Sequence, residues 1–219
     1  MTLTHIHTNQ HIQPILYYVY DPMCSWCWGY APTWHKLKAA LEGSGVMVKY
    51  QLGGLAADSN EPMPLEMQDF LQQTWRNISD QLGTPFNDDF WQLCQPRRST
   101  YPACRAALIA REMGLEQQMI QGIQTAYYLE AKNPSNVDTL ITIATDIGLN
   151  RTIFTEQMHC VQLNQRLMDE IDRVRQLPIN GFPSLVLKHL DSNRSDTISP
   201  IKLDYLHWQN SHQQIINLC

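Results

Sequence analysis

Ile15-Leu16-Tyr17-Tyr18-Val19-Tyr20-Asp21-Pro22-Met23-Cys24-Ser25-Trp26-Cys27-Trp28-Gly29 places two thiols three residues apart, where an apolar run gives way to a helical pattern. Ile15 to Tyr20 reads as a strand and Asp21-Pro22-Met23 as a turn, and a helix is expected from Cys24 through Leu37 and Leu41 to Gly43. Cys24 then lies in the first helical turn, where unpaired backbone N–H groups and the positive end of the helix dipole favour a thiolate and leave an exposed, ionised nucleophile. Side chains at i and i+3 have Cβ atoms ~5–6 Å apart, so a small adjustment brings Cys27 within bonding reach of Cys24. Cys24 is therefore the expected attacking sulfur and Cys27 the expected resolving one. A zinc site needs four ligands, and Cys94, Cys104, Cys160 and Cys219 form no second close pair, so no metal is expected. Two inert, buried thiols are the other alternative, which the strand, turn and helix context disfavours.

The 219 residues are 43% hydrophobic, enough to bury a core without a framework of disulfides, as one domain with an insertion or as two small domains. A net charge of −5, with no cluster of Lys or Arg, argues against nucleic acid and anionic membrane surfaces as partners. Met1 to Thr8 has no basic segment followed by an apolar run, and no stretch approaches the length of a membrane span. A cytoplasmic location is expected, Met1 arguing against a removed signal peptide. In a reducing compartment a cysteine pair is more often catalytic or sensing than structural, and the abundance of Gln and Asn argues against a hyperthermophile, where structural disulfides occur. His5, His7 and His11 are read as a terminal tail rather than a metal site.

Val46 to Leu52 alternates as a second strand, stopped by a tight turn at Gly53-Gly54, which completes a strand, helix, strand unit with a right-handed crossover. From Glu61 the period changes to 3.6. Helices are expected over Pro64 to Ile78, Pro102 to Met113, Leu115 to Tyr127 and Thr152 to Cys160, and along Leu163, Leu167, Ile171 and Val174. Ser135-Asn136-Val137-Asp138 reads as a capping box for a further helix ending at Gly148. Ser184 to Lys188 and a segment near Thr197-Ile198 are strands joined by a turn at Asp191-Ser192-Asn193, and Lys202 to Asn217 closes the chain as a helix.

The Cys24-Ser25-Trp26-Cys27 motif after its strand, with Gly181-Phe182-Pro183-Ser184 heading a late strand, resembles the thioredoxin superfamily and, within it, the DsbA-like branch with a helical insertion. Asp21 to Gly29 and Arg98 to Arg105, with Pro102-Ala103-Cys104-Arg105, look like the cytosolic FrnE-like group of protein-disulfide isomerases. The resemblance covers nearly the whole chain. It implies an α/β, thioredoxin-like fold, a mixed sheet flanked by helices with a large inserted α-helical domain. The parts are 1–58, carrying the cysteine pair; 59–164, the helical insertion; and 165–219, carrying Phe182-Pro183. It further implies a cis bond before Pro183, beside the cysteines. A cis X-Pro bond turns the chain sharply and removes an N–H, leaving the Phe182 backbone to face an extended peptide.

Catalysis is thus assigned to Cys24 and Cys27, and substrate contact to Ser25, Trp26, Phe182 and Pro183. Trp26 is expected to form an apolar lip and Trp28 to pack on the core. Asp21 is read as starting the turn rather than as a base. Unlike secreted DsbA proteins, with Pro-His between the cysteines, Ser25-Trp26 lends no positive charge to Cys24, so a strongly oxidising potential does not carry over. Cys94, Cys104 and Cys160 are read as small buried residues, Cys104 being the more reactive because it begins a helix, and Cys219 as exposed. The expected function is cytosolic thiol–disulfide exchange, as reductase or isomerase, on protein or peptide substrates. No cofactor is required, and glutathione is a candidate redox partner. The alternatives are a kappa-class glutathione transferase or 2-hydroxychromene-2-carboxylate isomerase-like enzyme, which typically has serine where Cys24 stands, and a non-catalytic thioredoxin-fold peptide-binding protein.

Overall fold

The computed structural model describes residues 13–191, 193 and 195–219, so His5, His7, His11 and Ser192 lie outside the described residues. A four-stranded sheet has the order β2-β1-β3-β4, formed by β1 (Ile15–Tyr20), β2 (Met47–Leu52), β3 (Ser184–Leu190) and β4 (Asp196–Ile201). β1 runs parallel to β2 and antiparallel to β3, and β3 antiparallel to β4. α1 (Ser25–Ala40) makes the crossover between the two parallel strands. Leu16, Tyr18 and Tyr20 are buried, and the Tyr18 ring stacks on Trp34 of α1 with centroids 4.2 Å apart. β2 and β4 are the edges, and Pro200 falls on β4, where a missing ladder donor costs little.

Between β2 and β3 lie α2 (Leu65–Leu82), α3 (Phe90–Leu93), α4 (Tyr101–Glu112), α5 (Glu116–Tyr128), α6 (Val137–Asp146), α7 (Arg151–Met158) and α8 (Val161–Val174). The single turn α3 was not expected, because four residues are too short to display a helical period. The boundary drawn between residues 164 and 165 falls inside α8. The capping-box expectation is corrected. Asn136 is the N-cap and makes no side-chain cap bond, while the buried Ser135 hydroxyl donates to the Ser99 carbonyl at 2.7 Å. The last helix is also shorter than expected: α9 runs Trp208–Leu218, because Asp204 accepts the N–H groups of Leu206 (2.9 Å) and His207 (2.8 Å) in a turn that precedes it. Among the described residues no helix is long and apolar enough to cross a membrane.

α8 is tied to the sheet by one carboxylate. Glu170, 4% exposed, accepts the Leu52 N–H of edge strand β2 at 2.6 Å and two Arg111 N–H groups at 2.7 and 3.1 Å. Arg111 on α4 also donates to Glu116 of α5 at 2.6 Å, which accepts the Tyr20 hydroxyl of β1 at 2.9 Å. Two strands and three helices therefore meet in one polar network. Removing its most buried charged member, Glu170, leaves a cation short of a partner and an edge N–H unmade. Glu170→Ala is expected to lower unfolding free energy by about 3 kcal/mol, read as a reduced urea midpoint with unchanged m-value.

Candidate functional site

The turn Asp21-Pro22-Met23 leads from β1 into α1, and Cys24 is the helix N-cap, with extended backbone at φ −80° and ψ 116°. In that position its side chain faces the first free N–H groups of the helix. The Cys27 N–H donates to Cys24 Sγ at 3.2 Å, a bond that strengthens when the sulfur carries charge. Both thiols are free. Cys24 is less open than expected, at 5% exposure, and Cys27 has none. Only the first sulfur therefore lies at the surface's edge. Burial, reinforced by the neighbouring Cys24 sulfur, pushes the Cys27 thiol well above the usual cysteine value.

The second half of the site arrives from 158 residues away. Val19 of β1 stands opposite Ser184 of β3, so antiparallel pairing carries the residues before Ser184 past the end of β1 towards the cysteines. The Phe182–Pro183 bond is cis, and the Cys24 thiol donates to the Phe182 carbonyl at 3.4 Å. Pro183 is buried and Phe182 half-buried. A Cβ on Gly53 would overlap the Phe182 ring, which explains the first glycine of Gly53-Gly54 by close approach rather than by the expected turn; Gly54, at φ +63°, supplies the turn. A shallow groove of about 340 Å³ runs along Phe182 and Pro183 towards Pro200 and Leu203.

Trp26 is half-buried beside this region, edge-on to Tyr205 with centroids 5.4 Å apart. Trp28 packs as expected, stacked on Tyr128 at 5.7 Å, and its indole N–H donates to the Pro85 carbonyl at 3.0 Å. Ser25 needs correction. Its hydroxyl accepts the Trp75 indole N–H at 3.0 Å and is turned towards the helical insertion, so it is engaged within the fold rather than free for a substrate as expected.

Asp21 does more than begin a turn. It is fully buried; one oxygen accepts the Met23 N–H at 2.8 Å, and the other accepts the Leu55 N–H at 2.7 Å, the Thr100 hydroxyl at 2.6 Å and the Cys104 thiol at 3.5 Å. Burial raises its pKa from the usual carboxylate value, against the opposing pull of those donors. Its charge in turn raises the Cys27 thiol. Cys104 is therefore not a reactive helix-start thiol: burial and the Asp21 carboxylate push it well above the ordinary value. Cys160, expected inside, is exposed at the start of α8, and Cys94 is half-buried with its thiol on the Ala131 carbonyl at 3.0 Å. Cys219 is exposed.

Two neighbours escaped sequence reasoning. Tyr205, whose phenol is raised by burial and then by Cys27 and Cys24, lies beside the pair, and Thr100 holds Asp21 from the start of α4. Neither belongs to a local motif, and both are distant in sequence.

A family model described as a DSBA-like thioredoxin domain matches residues 15–201. A solved structure from Nitrosomonas europaea, provisionally named a protein disulfide isomerase, superposes with a TM-score of 0.77 at 26% identity, covering 94% of this chain and 96% of that one. The cytosolic disulfide reductase DsbM of Pseudomonas aeruginosa, solved with GSH, superposes with a TM-score of 0.66 at 24% identity over 93% of this chain and 96% of its own. Among curated proteins, the ClpXP adapter protein SpxH of Halalkalibacterium halodurans is 23% identical over 177 residues, or 78% of this chain; the match spans 57% of that relative's length.

The raised Asp21 value makes protonation of this carboxyl favour the folded state. That contribution is complete below the unfolded value of ~3.9 and is lost as pH rises through the folded one. In urea unfolding between pH 4 and pH 7, the stability of Asp21→Asn relative to wild type is expected to increase as pH rises.

Proposed function

Because the chain belongs to the family of DSBA-like thioredoxin domains, we propose that it is a thiol–disulfide oxidoreductase of the cytosol, reducing or isomerising protein disulfides through Cys24 and Cys27. The supporting observation is the meeting of two distant segments on one sulfur: Cys24 Sγ receives the Cys27 N–H and donates to the Phe182 carbonyl.

In the first step the Cys24 thiolate attacks one sulfur of a substrate disulfide, forming a Cys24–substrate disulfide and releasing the other substrate sulfur as a thiolate. Ionisation of Cys24 removes the proton it donates to Phe182, which frees that carbonyl to accept an N–H from an extended peptide lying in the groove. In the second step Cys27 loses its proton and attacks Cys24 Sγ, closing the Cys24–Cys27 disulfide and releasing the remaining substrate sulfur. The substrate gains two electrons and the pair loses two. Burial keeps Cys27 protonated until this step, and its proton leaves with the departing substrate sulfur. Two molecules of glutathione, or one protein dithiol, return the electrons. DsbM, solved with GSH, lends weight to the former.

A glutathione transferase of similar architecture needs no resolving thiol, so Cys27 beneath Cys24 favours exchange over conjugation. In insulin reduction driven by glutathione, both Cys24→Ser and Cys27→Ser are expected to lose turnover by at least about 100-fold, and only Cys27→Ser to accumulate a mixed disulfide visible by mass spectrometry. Unchanged reduction by Cys24→Ser, or glutathione conjugation to a model electrophile that survives Cys27→Ser, would count against this function.

A further inference from the structure

On the flank of α1, a second cavity of about 400 Å³ opens between the sheet and the helical insertion and shares no lining residue with the groove at Phe182. Its size falls within the roughly 300–1,000 Å³ of small-ligand sites. Trp28, Pro32 and Trp34 of α1 face Tyr20 and Tyr50 of the sheet and Ile120 of α5 across it. With Tyr18 these put five phenol and indole rings on the walls, beside uncharged polar residues such as Gln117, Gln121 and Thr125.

Three polar side chains on the same walls, each at least nine-tenths buried, have no hydrogen-bond partner among the described residues: Tyr18 at 4% exposure, Gln124 at 5% and Thr84 at 6%. Their polar atoms are not among those sealed from solvent, and all three residues line the cavity. Groups so deeply placed cost free energy when left without a partner. No Asp, Glu, Lys or Arg lines the space among the described residues; burial and the nearby Lys38 disfavour the charged form of His35, and the Lys38 ammonium is itself held by Gln117 at 2.7 Å. A charged ligand would lose water here with no charged side chain in the lining to replace it, Lys38 standing behind Gln117 and Tyr50 rather than in the wall.

From the aromatic walls and the three unpartnered buried groups, we propose that this cavity binds a small, uncharged, planar aromatic compound bearing a hydroxyl or carbonyl. The ring meets the indole and phenol walls edge-on or offset. The ligand's oxygen takes the Tyr18 or Thr84 hydroxyl proton or pairs with the Gln124 amide, which both donates and accepts. A plain hydrocarbon fills the volume but leaves those polar groups unmade.

The test is calorimetric titration of the full chain with 2-naphthol, with naphthalene as the hydroxyl-free control. The proposal expects saturable one-to-one binding of 2-naphthol, with naphthalene weaker by about tenfold. Gln124→Leu should weaken 2-naphthol by about fivefold or more while leaving naphthalene unchanged. Ala31→Phe, which puts a ring into the space from α1, should abolish binding of both. Insulin reduction and the unfolding midpoint check that each variant is folded, and the Gln124→Leu comparison decides if Ala31→Phe is not. No saturable binding of 2-naphthol to the wild type, equal affinity for the two compounds, or full binding by a folded Ala31→Phe overturns the proposal. The exchange chemistry of Cys24 and Cys27 is a separate readout and stands or falls independently.

Discussion

One buried carboxylate organises the redox end of this molecule. Asp21 has no contact with solvent, and its two oxygens collect the N–H of Met23, the N–H of Leu55, the Thr100 hydroxyl and the Cys104 thiol. The four donors come from three places: the turn before the cysteines, the loop after β2, and two positions at the beginning of α4. Desolvating an unpaired carboxylate is prohibitive, so these segments must converge for the chain to fold with Asp21 inside. The geometry of the turn that presents Cys24 is thus a by-product of satisfying Asp21. The helical insertion is part of the site's foundation rather than an appendage beside it.

The two sulfurs differ because the helix start and the core treat them differently. Cys24, at the N-cap, has a backbone donor and a sliver of exposure; Cys27, one turn deeper, has neither water nor a compensating cation and lies within the field of Asp21. In the proposed exchange this asymmetry sets the order, with the outer sulfur meeting substrate and the inner one acting only once a disulfide lies directly above it. The cis peptide bond at Phe182–Pro183 fits the same plan, placing at Cys24 a carbonyl that the thiol occupies.

The rest of the architecture holds these parts in register. Glu170 caps the edge of β2 and, through Arg111 and Glu116, reaches Tyr20 at the end of β1, immediately before Asp21. A network with so little solvent access tolerates few arrangements, which fixes the insertion against the sheet. The insertion also leaves the aromatic cavity on the other flank of α1, where Gln124 and Thr84 approach the sheet without finding partners on it.

Much of this was legible in the chain alone. The alternation of Ile15 to Tyr20, the thiols three apart and the 3.6-residue period of the middle rest on local geometry, which a sequence carries directly, whereas the role of Phe182-Pro183 was legible only through the resemblance to the thioredoxin superfamily. The single turn α3, the false capping box at Ser135 and the late start of α9 show where local pattern fails, since a short element or one competing long-range bond decides them. What tertiary structure alone decided was the partner of each polar group. Ser25 looks like a surface residue of the motif until Trp75, fifty positions on, claims its hydroxyl; Cys104 looks reactive until Asp21, 83 positions away, is found beside it; Cys160 looks like core until α8 is seen to begin in solvent. Burial and hydrogen bonding between distant segments depend on how whole elements pack, and that information lies in no window of neighbouring residues.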